Sequence, residues 1–320
     1  MKLKMMYSFL NSDLDLIEKT LEETVNADST LLRESSMHLL QAGGKRIRPI
    51  FVLLAGQFGD FDRISITKAA VSLELIHMAS LVHDDVIDNA DLRRGQPTIK
   101  AKWDNKIAMY TGDYIFARSL EIMSDIDKPA AHKVLANTIV EVCIGEIEQI
   151  KDKYRFDQNI KDYFRRIKRK TALLISASSL VGAIVSDVEE KYQRKLYHFG
   201  YYVGMSYQII DDVLDFVATE KDLGKPAGGD LLQGNITLPV LFAMENKEVR
   251  DKVIQVHEDM KKQDLQEIID LIKNSDAIER SLEISNLYLE KALKSIEDLP
   301  NNRSKKALIN IAKYLGKRKY

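Results

Sequence analysis

The sequence predicts an all-α protein that forms a single domain over residues 1–320. Three observations lead to this prediction. The chain contains only six prolines, and none lies between Pro129 and Pro226. Helix interiors reject proline, whereas strand-rich chains need frequent turn residues. Apolar residues recur with the spacing of amphipathic helices, and no segment alternates as a strand would.

The individual helices follow from this periodicity and from local start and stop signals. Ser29 is a candidate N-cap for the second helix, and Gly43 with Gly44 ends it. Pro49 opens the next helix. The predicted helices cover residues 14–25, 29–42, 50–58, 66–88, 107–124, 130–153, 160–185, 189–219, 238–246, 248–261, 265–273, 277–296 and 304–315.

Composition narrows the class of protein. The 47 basic and 48 acidic residues leave a net charge of -1, which gives no support to a nucleic-acid partner. Cys143 is the only cysteine, so no intrachain disulfide can form, as is usual in a reducing cytoplasm. The apolar stretch 172–185 is shorter than the roughly 20 residues of a membrane span. We therefore expect a cytoplasmic protein without stable membrane insertion.

An acidic cluster ends the apolar helical segment 66–88. Asp84 and Asp88 are four residues apart and share a helix face, with Asp85 beside them. Magnesium suits such a site, because it takes one or two carboxylates and fills its other positions with water and phosphate oxygens. Arg93 and Arg94 follow at once, and guanidinium groups match phosphate oxygens. The pattern predicts a magnesium–diphosphate site.

The same acidic pattern recurs later in the chain. Asp211, Asp212 and Asp215 again follow an apolar helical run. A single copy is more typical of a solvated helix end. Two copies after buried helices need charge compensation, which a shared metal cluster supplies.

Basic and polar residues accompany the two acidic clusters. The stretch GGKRIRP offers Lys45 and Arg48 beside two glycines, which indicates an anion cradle or, alternatively, a turn with solvated charges. Lys225, in the glycine-rich stretch 224–229, belongs to a phosphate-binding lid or to a simple turn.

His77 follows Glu74 by three residues, which is half of a di-iron pattern. No other histidine has an acidic residue three positions before it. His77 is therefore a candidate ligand for the substrate.

Taken together and in this order, these motifs resemble those of the trans-isoprenyl diphosphate synthases over nearly the whole chain. The resemblance implies an isoprenyl synthase fold, a helical bundle around a central cavity. It also implies a Mg²⁺-dependent prenyltransferase that adds isopentenyl diphosphate to an allylic diphosphate such as farnesyl diphosphate. The segment GGDLLQGNITLPVL resembles sequences of the catalytic subunits (component II) of two-component bacterial enzymes.

That subfamily resemblance implies a heptaprenyl product for the menaquinone side chain, with hexaprenyl and octaprenyl as alternatives. It further implies a heterodimer with a small component I subunit, or a homodimer when the chain is isolated.

The resemblance assigns roles to individual residues. Three magnesium ions would be held by Asp84, Asp88 and Asp211, supported by Asp85, Asp212 and Asp215. The allylic diphosphate would contact Arg93, Lys170 and Lys225, with Thr171 and Gln208 beside it. Isopentenyl diphosphate would contact Lys45, Arg48, His77 and Arg94. Asn235 departs from the family pattern, because many members carry lysine there.

Residues before the first acidic cluster are candidates for setting product length. Ala79 and Ser80 stand where short-chain relatives of the resembled family carry bulky aromatics, and Ile76 lies one turn deeper than Ser80. Small residues there would leave room for a growing tail. The alternative is that they permit close helix packing.

Two other classes of protein remain as rivals. A non-catalytic scaffold subunit would not need both acidic clusters. A terpene cyclase would not need the isopentenyl site of Lys45, Arg48 and His77. The complete set of motifs disfavours both.

Overall fold

The computed structural model describes residues 3–218 and 227–317, and over these residues the prediction of an all-α protein is confirmed. A 3-10 helix, Leu3–Leu10, precedes the first α-helix. The α-helices are α1 (Asn11–Val25), α2 (Thr30–Gln41), α3 (Ile47–Gly56), α4 (Arg63–Ile87), α5 (Ile99–Lys102), α6 (Asn105–Ser124), α7 (Pro129–Asp152), α8 (Ile160–Ile167), α9 (Leu173–Val185), α10 (Glu190–Val217), α11 (Gly229–Leu232), α12 (Leu238–Ala243), α13 (Lys247–Val253), α14 (Lys262–Lys273), α15 (Ala277–Ser295) and α16 (Arg303–Gly316).

Several details differ from the predicted elements. The predicted helix 160–185 is confirmed as a continuous helical segment, but a π-helical turn, Lys168–Ala172, divides it into α8 and α9. The predicted helix 248–261 is too long. The apolar face of this helix ends with α13 at Val253. The mostly charged residues after 256 provide no apolar face that could pack against the core. Ser29 occupies the N-cap of α2, but its hydroxyl makes no capping hydrogen bond.

One small hairpin was not predicted. β1 (Leu92–Arg93) pairs antiparallel with β2 (Gln96–Pro97) directly after the first acidic cluster. Two residues per strand are too few for alternation to be visible in the sequence.

The chain divides into two compact units. The first unit comprises Met1–Ala136, Ala177–Tyr197 and Leu299–Leu308, and the second comprises Asn137–Ser176, His198–Asp298 and Ile309–Tyr320. The single domain over residues 1–320 stays a prediction.

In the first unit, α4 is the core helix. Asp62 caps its N-terminus by accepting hydrogen bonds from the amides of Ile64 and Ser65 at 3.3 and 3.0 Å. The helices α1, α3 and α6 pack around it. By length and composition α4 would suffice to cross a membrane, but 67% of its apolar window is buried among these neighbours. Its apolar character is therefore that of a core helix.

In the second unit, the core lies between α8, α10, α12, α14 and α15. Its largest side chains include Tyr163 from α8 and Phe216 from α10, both fully buried. These contacts fix α10, which carries the second acidic cluster.

We predict that Gly182→Ala destabilises the protein, although alanine is about 1 kcal/mol better than glycine in an open helix. A Cβ atom at Gly182 of α9 would lie 2.3 Å from the carbonyl oxygen of Val52 in α3. Overpacking of this kind costs about 1–3 kcal/mol. Urea denaturation measures the change.

Gly316→Ala is the control, because its nearest atoms are the side-chain ends of Leu289 and Ser206 at 3.0 and 3.1 Å. A Gly182→Ala variant as stable as the parent would contradict the close contact between α3 and α9.

Candidate functional site

The basic loop, residues 43–48, comprises the connection from α2 to α3 and the first two residues of α3, and it is held by Arg46. Arg46 adopts a left-handed conformation, with φ 49°. Its guanidinium contacts the Glu18 carboxylate through Nε at 2.5 Å and Nη2 at 3.0 Å, and the Glu74 carboxylate through Nη1 at 3.2 Å. Two helices, α1 and α4, thus anchor this one side chain. The charge of Arg46 is compensated within the protein.

The predicted ligands Lys45 and Arg48 flank this anchor. Lys45 is exposed and Arg48 is half-buried. Arg94, which follows β1, reaches the same loop, because a Cβ atom added at Gly44 would lie 2.9 Å from Nη1 of Arg94. The structure therefore brings three predicted substrate ligands together at one loop: Lys45 and Arg48 from GGKRIRP, and Arg94 from the segment after the first acidic cluster.

His77 lies among the same positive charges. Its pKa is lowered well below the ordinary value, first by burial and then by the charges of Arg48, Arg94, Arg93 and Arg46. A neutral imidazole can then donate one hydrogen bond without adding charge. Several guanidinium groups around it suit a polyanion such as a diphosphate.

The carboxylate of Glu74, three residues before His77, already pairs with Arg46. Glu74 therefore serves as the partner of Arg46, and this removes the glutamate half of the di-iron pattern.

The first acidic cluster lies at the C-terminal end of α4. Asp85 is 3% exposed and pairs with Arg93, whose Nη2 lies 2.7 Å and whose Nε lies 2.9 Å from Oδ1. Burial raises the pKa of Asp85, and the Arg93 charge opposes that rise. Asp84 and Asp88 are only half-buried. The amide of Asp88 donates to the Asp84 carbonyl at 2.8 Å, which keeps the two residues one turn apart.

The second acidic cluster lies near the C-terminal end of α10. Asp212 and Asp215 are buried, at 3% and 2% exposure, whereas Asp211 is half-buried. Oδ2 of Asp215 accepts from the amide of Asp230 at 3.1 Å. The Asp215 carbonyl accepts from the amide of Gly228 at 2.8 Å. Asp215 thus anchors the start of α11.

Asp212 receives a hydrogen bond at each carboxylate oxygen. The Tyr163 hydroxyl donates to Oδ2 at 2.7 Å, and Nε2 of Gln208 donates to Oδ1 at 2.8 Å. The Thr171 hydroxyl in turn donates to Oε1 of Gln208 at 2.6 Å. Burial, followed by the charge of Asp230, raises the pKa of Asp212 to about 7.

Lys170 lies in the π-helical turn that separates α8 from α9. Its Nζ pairs with Oε2 of Glu146 on α7 at 3.3 Å. Turns of this kind are frequent at functional sites. Lys225, with the rest of the predicted phosphate-binding stretch 224–226, lies outside the described residues. The backbone N–H of Asn235 donates to the Asp230 carbonyl at 2.8 Å, a bond that does not involve the side chain.

The proposed product-length residues lie on α4 just before the aspartates. Ile76 and Ala79 are 4% and 2% exposed, and Ser80 is half-buried with its hydroxyl bonded to the His77 carbonyl at 2.8 Å. Ser72 belongs to helix packing, because its hydroxyl donates to the Ser119 carbonyl of α6 at 2.9 Å.

The donor set fits magnesium. Within residues 3–218 and 227–317, no three His, Cys, Asp or Glu side chains form a complete metal cage. Each acidic cluster instead offers a few carboxylates next to basic residues. Magnesium is usually bound in this way, by one or two carboxylates together with water and substrate phosphates.

A family model for polyprenyl synthetases matches residues 29–273. The chain belongs to the polyprenyl synthetase family. It is 61% identical over 320 residues to heptaprenyl diphosphate synthase component 2 of Bacillus subtilis (strain 168), covering 100% of this chain and 92% of that protein. It is 59% identical to the protein of the same name from Geobacillus stearothermophilus, with both chains fully covered.

Solved structures of the family share the fold. A heptaprenyl diphosphate synthase from Staphylococcus aureus superposes with a TM-score of 0.93 at 45% identity, over 97% of this chain and 98% of that one. A polyprenyl synthase from Caulobacter crescentus CB15, complexed with calcium and isoprenyl diphosphate, gives a TM-score of 0.93 at 28% identity, over 99% and 98%. The expected isoprenyl synthase fold and prenyltransferase family are confirmed.

Three residues of the site lie outside the predicted set. Glu18 anchors Arg46, Tyr163 contacts Asp212, and the charge of Asp230 acts on Asp212. Only Asp230 had a signal in the sequence, as an acidic residue directly after the glycine-rich stretch. Glu18 and Tyr163 lie on ordinary amphipathic helices, so only tertiary contacts reveal them.

We predict that Arg46→Met destabilises the protein by about 3–5 kcal/mol, because it leaves the buried Glu74 carboxylate uncompensated. Lys45→Met is the matched control, since the exposed Lys45 side chain should contribute within about 0.5 kcal/mol. Urea denaturation of both variants decides the point. Equal losses, or no loss at Arg46, would contradict a structural role for this arginine.

Proposed function

We propose that this chain is the catalytic subunit of a prenyl diphosphate synthase that makes heptaprenyl diphosphate. The observation that carries the proposal is a single helix, α4. It places a neutral histidine among arginines and, seven residues later, carboxylates that suit magnesium. The relatives named heptaprenyl diphosphate synthase component 2, at 59% and 61% identity, support the product length.

Isopentenyl diphosphate binds at the basic loop. Lys45, Arg48 and Arg94 supply positive charge, and His77 donates a hydrogen bond without adding charge. Arg46 does not bind substrate in this scheme, because Glu18 and Glu74 already compensate it. Its role is to fix the basic loop between the two cationic ligands Lys45 and Arg48.

The allylic diphosphate, represented by farnesyl diphosphate in an assay, binds at the acidic clusters. Asp84, Asp88 and Asp211 would hold three Mg²⁺ ions, which would supply positive charge for the leaving diphosphate. Lys170, Lys225 and Arg93 contact its oxygens, with Thr171 and Gln208 beside it. Asp85, Asp212 and Asp215 keep the ligating carboxylates in place.

The reaction then joins the two substrates. The allylic carbon–oxygen bond breaks, and the double bond of isopentenyl diphosphate attacks the resulting cation. A proton lost to the released diphosphate restores the double bond in trans geometry. Repeated additions lengthen the chain to heptaprenyl diphosphate, which would serve as the precursor of the menaquinone side chain in the cytoplasm.

The relatives' designation as component 2 supports a heterodimer with a small component 1 subunit. We predict that farnesyl diphosphate, labelled isopentenyl diphosphate and Mg²⁺ give heptaprenyl diphosphate only when that subunit is added. Chromatography of the dephosphorylated products measures their length. Full-length product from the isolated chain, or homodimer, would overturn the two-component assembly.

The same assay tests catalysis itself. Asp84→Asn should lower the rate by roughly 100-fold or more, because it weakens binding of the Mg²⁺ whose charge would stabilise the leaving group. A mixture of both subunits that never elongates the primer would favour a scaffold role. A hydrocarbon product without elongation would favour a cyclase.

We predict that Ala79→Phe and Ser80→Phe shorten the product, because both residues lie on α4 directly before the aspartates and a bulky ring there blocks the growing tail. Ile64→Phe, at a 69% exposed position in the first turn of the same helix, is the control and should leave the length unchanged. Unchanged product length in both the Ala79→Phe and the Ser80→Phe variants would mean that these small residues serve helix packing only.

A further inference from the structure

Tyr163 belongs to none of the motifs, yet it contacts the second acidic cluster. It lies on α8, has 0% exposure, and donates its hydroxyl to Oδ2 of Asp212 at 2.7 Å across 49 positions of sequence. A hydrocarbon side chain would satisfy this part of the core equally well by volume. The hydroxyl therefore has a purpose that packing does not explain.

The bond is part of a chain of directed donors. The Thr171 hydroxyl donates to Oε1 of Gln208, so the amide nitrogen of Gln208 points at Oδ1 of Asp212. Tyr163 takes the other oxygen. Each Asp212 oxygen accepts one bond and keeps further lone-pair capacity, since a carboxylate has about four acceptor sites. The carboxylate plane is thus fixed from both sides.

Arg166, one turn later on α8, lies beside the Tyr163 ring. The guanidinium of Arg166 donates to Oε1 of Gln158 at 2.6 Å and to the Ile236 carbonyl at 2.5 Å. It also lies 3.5 Å from Asp152 and 5.8 Å from the centre of the Tyr163 ring. The Tyr163 ring therefore packs beside a cation that is itself fixed by three partners.

We propose that Tyr163 is a positioning residue that orients the Asp212 carboxylate, and through it the second acidic cluster, for a divalent cation. The inference rests on the proposed function, because it assumes that this cluster binds the metal ion. Hydrogen bonds to a ligating group or its neighbour characteristically tune metal affinity. Tyr163 does not touch substrate in this scheme.

Binding of Mn²⁺ in the presence of inorganic pyrophosphate tests the proposal by titration calorimetry. Tyr163→Phe keeps the ring in the core and removes only the hydroxyl. We expect its Mn²⁺ affinity to fall roughly 10- to 100-fold, as for other residues that support metal ligands. The Mg²⁺ concentration for half-maximal activity should rise in parallel, while the KM for isopentenyl diphosphate stays unchanged.

Tyr154→Phe is the matched control, since the Tyr154 hydroxyl donates at 2.7 Å to the Leu232 carbonyl instead of to an aspartate. It should lose stability without losing Mn²⁺ affinity. If Tyr163→Phe does not fold, Thr171→Val tests the same chain of donors from its other end and should weaken Mn²⁺ binding in the same direction.

The possible outcomes distinguish a failure of the positioning role of Tyr163 from a failure of the proposed function. Parent-like Mn²⁺ affinity in Tyr163→Phe, or equal losses in Tyr163→Phe and Tyr154→Phe, would overturn the positioning role alone. A parent protein that binds no Mn²⁺ with pyrophosphate would overturn the proposed function as well.

Discussion

Carboxylates near the C-terminal ends of buried helices are the constraint on which each of the two acidic clusters depends. The helix dipole places partial negative charge at that end, so an aspartate in the last turn is disfavoured by about 0.3–1 kcal/mol before burial is considered. Both α4 and α10 end in three aspartates. The surrounding structure is arranged to compensate them.

Burial divides the six aspartates into two classes. The three buried members each receive protein donors: Arg93 for Asp85, Tyr163 and Gln208 for Asp212, and the Asp230 amide for Asp215. The three half-buried members are Asp84, Asp88 and Asp211. These three are the residues that the resemblance assigns to magnesium, and burial alone sorts them in the same way.

The basic residues divide similarly. Arg46 pairs with two carboxylates within the first unit, whereas Lys45 and Arg94 are exposed at the loop that they share. A buried cation can be held in one place only by a partner, and a ligand-binding cation must remain accessible. Adjacent basic residues of GGKRIRP therefore differ in their surroundings, because Arg46 is paired within the protein and Lys45 is exposed.

The sequence by itself determined the all-α class, the helices of strong period and the two acidic clusters, because these depend on local spacing. It also placed His77 and Arg94 near the basic residues through their order in recognisable motifs. Only the tertiary structure decided that Arg46 is an anchor, that Thr171 and Gln208 form a chain to Asp212, and that Tyr163 completes it. These outcomes depend on which side chains meet across 28 to 49 positions of sequence. The π-helical turn at Lys170 could not be predicted from the sequence for a related reason. The apolar residues of α8 and α9 keep helical spacing on either side of the turn, so the spacing gives no sign of it.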